Sequence, residues 1–167
     1  AEYVALVEDL IYHEELLHME TITHHHFTNR LEHSIRVSYK SYQLAKKWKL
    51  DARATARAGL LHNFFHEDRD AIAQLNLGSH ADAHPKIACE NACRITEISS
   101  LERDIILKHM FLVSRCGLPR YKESFVVTYM DKYVAIREVV EPIKELAGAR
   151  LRGLVSKLSP VNLNINI

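Results

Sequence analysis

Gly59-Leu60-Leu61-His62-Asn63-Phe64-Phe65-His66-Glu67-Asp68 is the stretch on which the fold turns. Two side chains able to coordinate or hydrogen bond, His62 and Asn63, sit between a leucine pair and a phenylalanine pair, so they are expected where the chain is dry and packed. A polar group there needs a partner. For a single histidine the ordinary partner is a main-chain carbonyl, and the residue is then simply part of the core. His62 is not single. His33, His84, His109 and Asp131 recur beside apolar residues, and by subtraction of positions the set His33, His62, His84, His109, Asp131 is spaced by 29, 22, 25 and 22. That is the spacing of one ligand per successive helix.

Upstream of this stretch, apolar residues repeat at three and four, and only five glycines and four prolines punctuate the chain, so the pattern predicts an all-α architecture. Tyr3 to Glu20 reads as a first amphipathic helix carrying Val4, Val7, Leu10, Ile11 and Leu17 on one stripe, with His13 and His18 as surface or capping residues. Thr21 to Phe27 breaks the pattern. Its adjacent histidines point in different directions on any regular backbone, which leaves His25 or His26 as a subsidiary candidate for the site. Asn29 to Leu50 reads as a second helix, on which Asn29, His33, Arg36 and Lys40 share a face. Asp51 is a good N-cap for a third helix, Ala52 to Phe65, whose Ala54, Ala56, Ala58 and Gly59 permit a neighbour to approach closely.

Downstream, His62 and His66 stand four apart, as in the helical H-E-x-x-H zinc motif. That motif requires a glutamate directly after the first histidine, and Asn63 cannot take a proton. Asn63 thus argues against the zinc-peptidase pattern, and His66, Glu67 and Asp68 read as a helix end or the mouth of a site. Glu67 and Asp68 are candidate catalytic acids, against the commoner reading of solvated helix-end charges. Arg69 to Ala83 is expected to be a loop or short helix, and Pro85 to open the helix that runs to Ile98, placing His84 just ahead of it. Ser99 and Glu102 have capping-box spacing for a helix from Ser100 to Met110, with His109 in its last turn. Arg120 and Lys122 are candidate phosphate ligands, though an exposed basic loop reads as well. A carboxylate among Val126, Val127, Tyr129 and Met130 is costly unless paired or bound to metal, and this singles out Asp131. A helix to Val140, a new start at Pro142, and a tail over 159–167 complete the reading.

Taken in order, His33, His62-Asn63, His84, His109 and Asp131 resemble the HD-domain superfamily of metal-dependent phosphohydrolases, in particular its two-metal members with the order H…HD…H…H…D. The resemblance spans about residues 25–138. It implies one HD-like helical domain over 1–167, a compact multi-helix bundle. It further implies one or two divalent ions held by His33, His62, Asn63, His84, His109 and Asp131. Imidazole and carboxylate ligands suit Fe, Mn, Zn, Ni or Co, and the spacing does not choose among them. The implied reaction is hydrolysis of a phosphomonoester or phosphodiester, with a nucleotide among the candidate small phosphorylated partners. One position departs from the pattern: Asn63 stands where the family has its metal-bridging aspartate, so Asn63 occupies a catalytic position without the catalytic charge. Asn offers one neutral oxygen and cannot bridge two ions as a carboxylate does. Either hydrolysis is weakened or abolished at this one position, or the domain is a degenerate metal- or nucleotide-binding regulatory module. A purely structural helical protein would make the whole order a coincidence.

Composition sets the outer bounds. With 22 basic and 21 acidic residues and a net charge of +1, no broad field draws the chain to nucleic acid or an anionic membrane. Cys89, Cys93 and Cys116 are odd in number and lack the C-x-x-C spacing, which fits a reducing cytoplasm better than a disulfide framework. There is no signal-peptide pattern at the start and no apolar run long enough to span a bilayer.

Overall fold

The computed structural model describes residues 2–24 and 28–158. His25 and His26, and the tail over 159–167, lie outside them. Among the described residues eight α-helices follow in order: α1 Glu2–Ile11, α2 Glu14–Leu17, α3 Arg30–Lys47, α4 Ala52–Leu61, α5 Arg69–Gln74, α6 His80–Ile95, α7 Ser100–Lys108 and α8 Lys122–Leu158. A 3₁₀ turn, His18–Thr21, leads into a minimal antiparallel ribbon in which β1 Thr23–His24 faces β2 Thr28–Asn29. The all-α expectation holds, this ribbon aside.

Helix α4 is the central element. Its small residues bring it hard against α3: a Cβ at Gly59 would lie 3.0 Å from Ser38 Cα, tighter than nine in ten real Cβ contacts. Asp51 caps it as expected, accepting from the amide of Ala54 at 2.9 Å. Around it Val7, Leu10, Leu16, Met19, Val37, Leu60, Leu61, Phe64, Ile105, Ile106 and Val127 form one buried cluster. Each such side chain contributes about 1.5–3 kcal/mol on burial, which makes this cluster the main source of stability.

Several boundaries differ from the sequence reading. The first helix is not continuous to Glu20. It stops at Ile11, because the His13 ring accepts from the amide of Glu15 and so caps a separate α2. Helix α4 ends at Leu61 and not at Phe65, with His62 as its C-cap. Helix α6 begins at His80, ahead of Pro85, because Ser79 and Asp82 form a capping box that starts the helix a turn and a half earlier. Pro85 therefore lies inside a helix, and so does Pro142: α8 runs through it, forgoing only the hydrogen bond its absent N–H would have made. The second capping box, Ser99 with Glu102, is where its spacing placed it, although α7 closes at Lys108 with His109 as C-cap.

Candidate metal centre

Three helices and two helix ends deliver the five ligand-type residues to one place. His33 comes from the second turn of α3, His62 from the C-cap of α4, His84 from the second turn of α6, His109 from the C-cap of α7, and Asp131 from the third turn of α8. All five are buried, and His33, His62 and His109 are fully so. The ligand atoms of His33, His62 and Asp131 lie within 4.8 Å of one another, close enough to share one ion.

Hydrogen bonds at the outer nitrogens fix which nitrogens are left to face inward. A carbonyl only accepts, so the Nδ1 atoms of His62, His84 and His109 carry their protons, donating to Gly59 O at 2.7 Å, His80 O at 2.7 Å and Ile106 O at 2.8 Å. Each Nε2 is thereby a lone pair aimed inward, the tautomer a metal ligand needs. His62 Nε2 has no hydrogen-bond partner and stands 3.6 Å from Asp131 Oδ1. The Nε2 atoms of His84 and His109 face each other at 3.0 Å. Two lone pairs in opposition repel unless a cation lies between them, and 3.0 Å is within the span of two nitrogens that share an ion at bonds of about 2.0–2.1 Å. The residues present fit a divalent cation on this ground.

His33 is bonded at both nitrogens, by Nδ1 to Glu138 Oε2 at 2.8 Å and by Nε2 to Asp131 Oδ1 at 3.0 Å. Burial opposes charge on this ring, but the two carboxylates overcome it and raise its pKa. For Asp131, burial is again the largest influence and again loses: the hydrogen bond from His33 and the charge of Lys132 hold the carboxyl well below its usual range. Nothing of the kind rescues the other pair. Burial, His80 and His62 push His84 down to about 3, and burial with His62 and His84 puts His109 well below its ordinary value, so both stay neutral and free to coordinate.

A cavity of about 490 Å³ opens over this cluster, and Asn63, His84, His109 and Asp131 line it. The loop that carries Asn63 is pinned from two sides: Asn91 Nδ2 donates to Phe64 O at 2.9 Å, and Arg30 donates from Nη1 to the carbonyl of Phe65. Asp68 lines the cavity while capping α5 through the amide of Ala71, and Glu67 accepts from the amide of His66. Arg120 and Lys122 are exposed at the start of α8 and do not line the cavity. The cations that do line it are Arg30, Arg69 and Lys132. Arg30 lies 3.7 Å over the ring of Phe65, and burial lowers its pKa to about 10 against the opposing charge of Glu67. Sequence reasoning missed these three cations, and it missed Glu138. A trace of Glu138 was there to find, since a carboxylate seven residues after Asp131 falls on the same face of a helix.

The HD-domain family model matches residues 30–136, which takes in every ligand-type position from His33 to Asp131. The chain belongs to the HD-domain family, within the superfamily of metal-dependent phosphohydrolases. No curated protein and no solved structure matches it.

Proposed function

We propose that the protein is a divalent-metal phosphohydrolase acting on a small phosphorylated molecule, a phosphomonoester or phosphodiester, with hydrolysis weakened by Asn63. The observation that carries this reading is the inward convergence of imidazole lone pairs, fixed by their Nδ1 hydrogen bonds, upon a buried carboxylate. His33, His62 and Asp131 would hold one ion, and His84 with His109 a second. When bound, such an ion supplies Lewis acidity at the phosphoryl group. The chain supplies the rest. Arg30, Arg69 and Lys132 present positive charge to the phosphate oxygens, Phe65, Ile22, Met110 and Ala135 exclude water beside them, and the Arg30 and Asn91 bonds hold Asn63 at the mouth. A nucleotide is among the substrates that a cavity of about 490 Å³ accommodates.

Asn63 itself favours a second reading. Its amide makes no hydrogen bond to another described residue and brings no negative charge to the site. A regulatory module that binds metal or a nucleotide without hydrolysing it would need nothing more. Elemental analysis and phosphoester assays of the parent and of Asn63→Asp, at matched metal loading, separate the two. The phosphohydrolase reading expects metal in the parent, its loss in His62→Ala, and a rate at least tenfold higher in Asn63→Asp, tenfold being about 1.4 kcal/mol of barrier. If Asn63→Asp stays as inactive as the parent on mono- and diesters while both bind a nucleotide, the regulatory reading replaces it.

A further inference from the structure

We infer that Glu138 is the positioning residue of the metal centre, holding His33 by Nδ1 so that its Nε2 is presented to the ion. The inference rests on the metal-centre reading above and assigns a role to a residue outside the ligand set. His62, His84 and His109 are each fixed by a carbonyl of the chain a few residues before them. His33 is held instead by a carboxylate that arrives from another helix, 105 residues later in the chain. The Glu138 side chain is 1% exposed, its Oε2 lies 2.8 Å from His33 Nδ1, and its Oε1 makes no hydrogen bond. Arg36 Nη1, 3.6 Å from that oxygen, is 44% exposed and also paired with Glu32, so it compensates the buried charge only in part. A carboxylate kept so deep with so little compensation is directed at the imidazole.

The geometry also dictates what the residue does. An ionised carboxylate can only accept, so Glu138 keeps the proton on Nδ1, and Nε2, which here hydrogen bonds Asp131 Oδ1, is the nitrogen that would give up its proton to an ion. Its charge makes the imidazole a stronger donor than a carbonyl would, and this distinguishes His33 from the other three ligands. Asp131 and Glu138 stand two turns apart on α8, one on each side of the ring, so a single helix supplies both a ligand and the orientation of its neighbour.

The test uses the full chain stripped of metal by a chelator and titrated with Zn²⁺ against a chromophoric competitor. Glu138→Ala is expected to weaken Zn²⁺ binding 10–100-fold, the usual cost of losing such a partner. Glu138→Gln keeps an acceptor oxygen without the charge and should fall between Ala and the parent. In the Zn²⁺-loaded protein, the downfield proton resonance of His33 Nδ1–H should shift upfield in Glu138→Gln. Glu102→Ala, which removes another buried carboxylate away from the centre, should leave affinity within about twofold. Should Glu138→Ala fail to fold, Glu138→Gln decides. Unchanged affinity and an unmoved resonance in Glu138→Gln overturn the role of Glu138 alone. A parent protein that binds no Zn²⁺ overturns the metal centre and this inference with it.

Discussion

Two buried polar clusters hang from α4, one at Arg57 and one five residues on at His62, and they are built on opposite principles. Arg57 is matched with acceptors throughout. Nη1 donates to Leu6 O and Asp9 Oδ1, Nη2 to Asp9 Oδ2 and Thr96 Oγ1, and Nε faces Glu102 Oε1 at 3.6 Å. Donors meet acceptors, and α1, α4 and α7 are tied together. Around His62 acceptors meet acceptors: lone pair against lone pair at His84 and His109, lone pair against carboxylate at His62 and Asp131. The first cluster balances its charges within the protein, although Glu102 Oε1 faces Arg57 without a hydrogen bond. The second is complete only with something positive added, and this mismatch is what marks a binding site among buried polar groups.

The contrast can be broken at either end. Truncating a structural cluster should cost stability whatever the medium, and Arg57→Ala is expected to lose about 3 kcal/mol because it strands the buried Glu102. Asp9, 57% exposed on its side chain, keeps the figure at the low end of the range for buried pairs. Urea unfolding measures it, and a loss under about 1 kcal/mol would mean that the network only decorates the helix contacts. The His62 cluster should respond to the medium itself. Saturating the protein with a divalent metal at about 100 times its dissociation constant should stabilise it by about 2.7 kcal/mol, and chelator should remove that increment. A melting temperature indifferent to both would contradict the mismatch argument.

The finest test is a change of sign. His84→Leu takes away one of two opposed lone pairs and replaces it with an apolar side chain beside Phe65. In chelator the variant should be as stable as the parent or more so by about 1 kcal/mol, since apolar replacement of buried polar groups is often neutral or favourable. With metal present it should be the less stable of the two. Equal losses in both media would show His84 to be an ordinary core residue.

Much of this was legible in the sequence because it is local. Asp51 as N-cap, the Ser99–Glu102 box and the small-residue face ending in Gly59 each follow from side chains a few positions apart. The five ligand-type residues were legible for a different reason: buried histidines and a carboxylate set in apolar helices are conspicuous against their neighbours. What was missed depends on competition or on distance. Ser79 and Asp82 outbid Pro85 as the start of α6, and His13 capped a helix that the hydrophobic stripe would have carried onward. Arg30, Arg69 and Lys132 look like any solvated cation until the fold wraps them around one cavity. Glu138 could be recognised as a partner of His33 only once α8 lay against α3.

Gly59 shows how far such placement reaches. It contributes no chemistry, yet the 3.0 Å that a Cβ would have to Ser38 Cα makes it the fulcrum of the α3–α4 contact. His62 follows it by three positions on one helix, and His33 precedes Ser38 by five on the other. The imidazoles of His33 and His62 stand 5.6 Å apart between ring centres. A methyl group at residue 59 would press on the Ser38 backbone and oblige α3 to give by a few tenths of an ångström, so the spacing of the two helices that carry these histidines hangs on a single hydrogen atom.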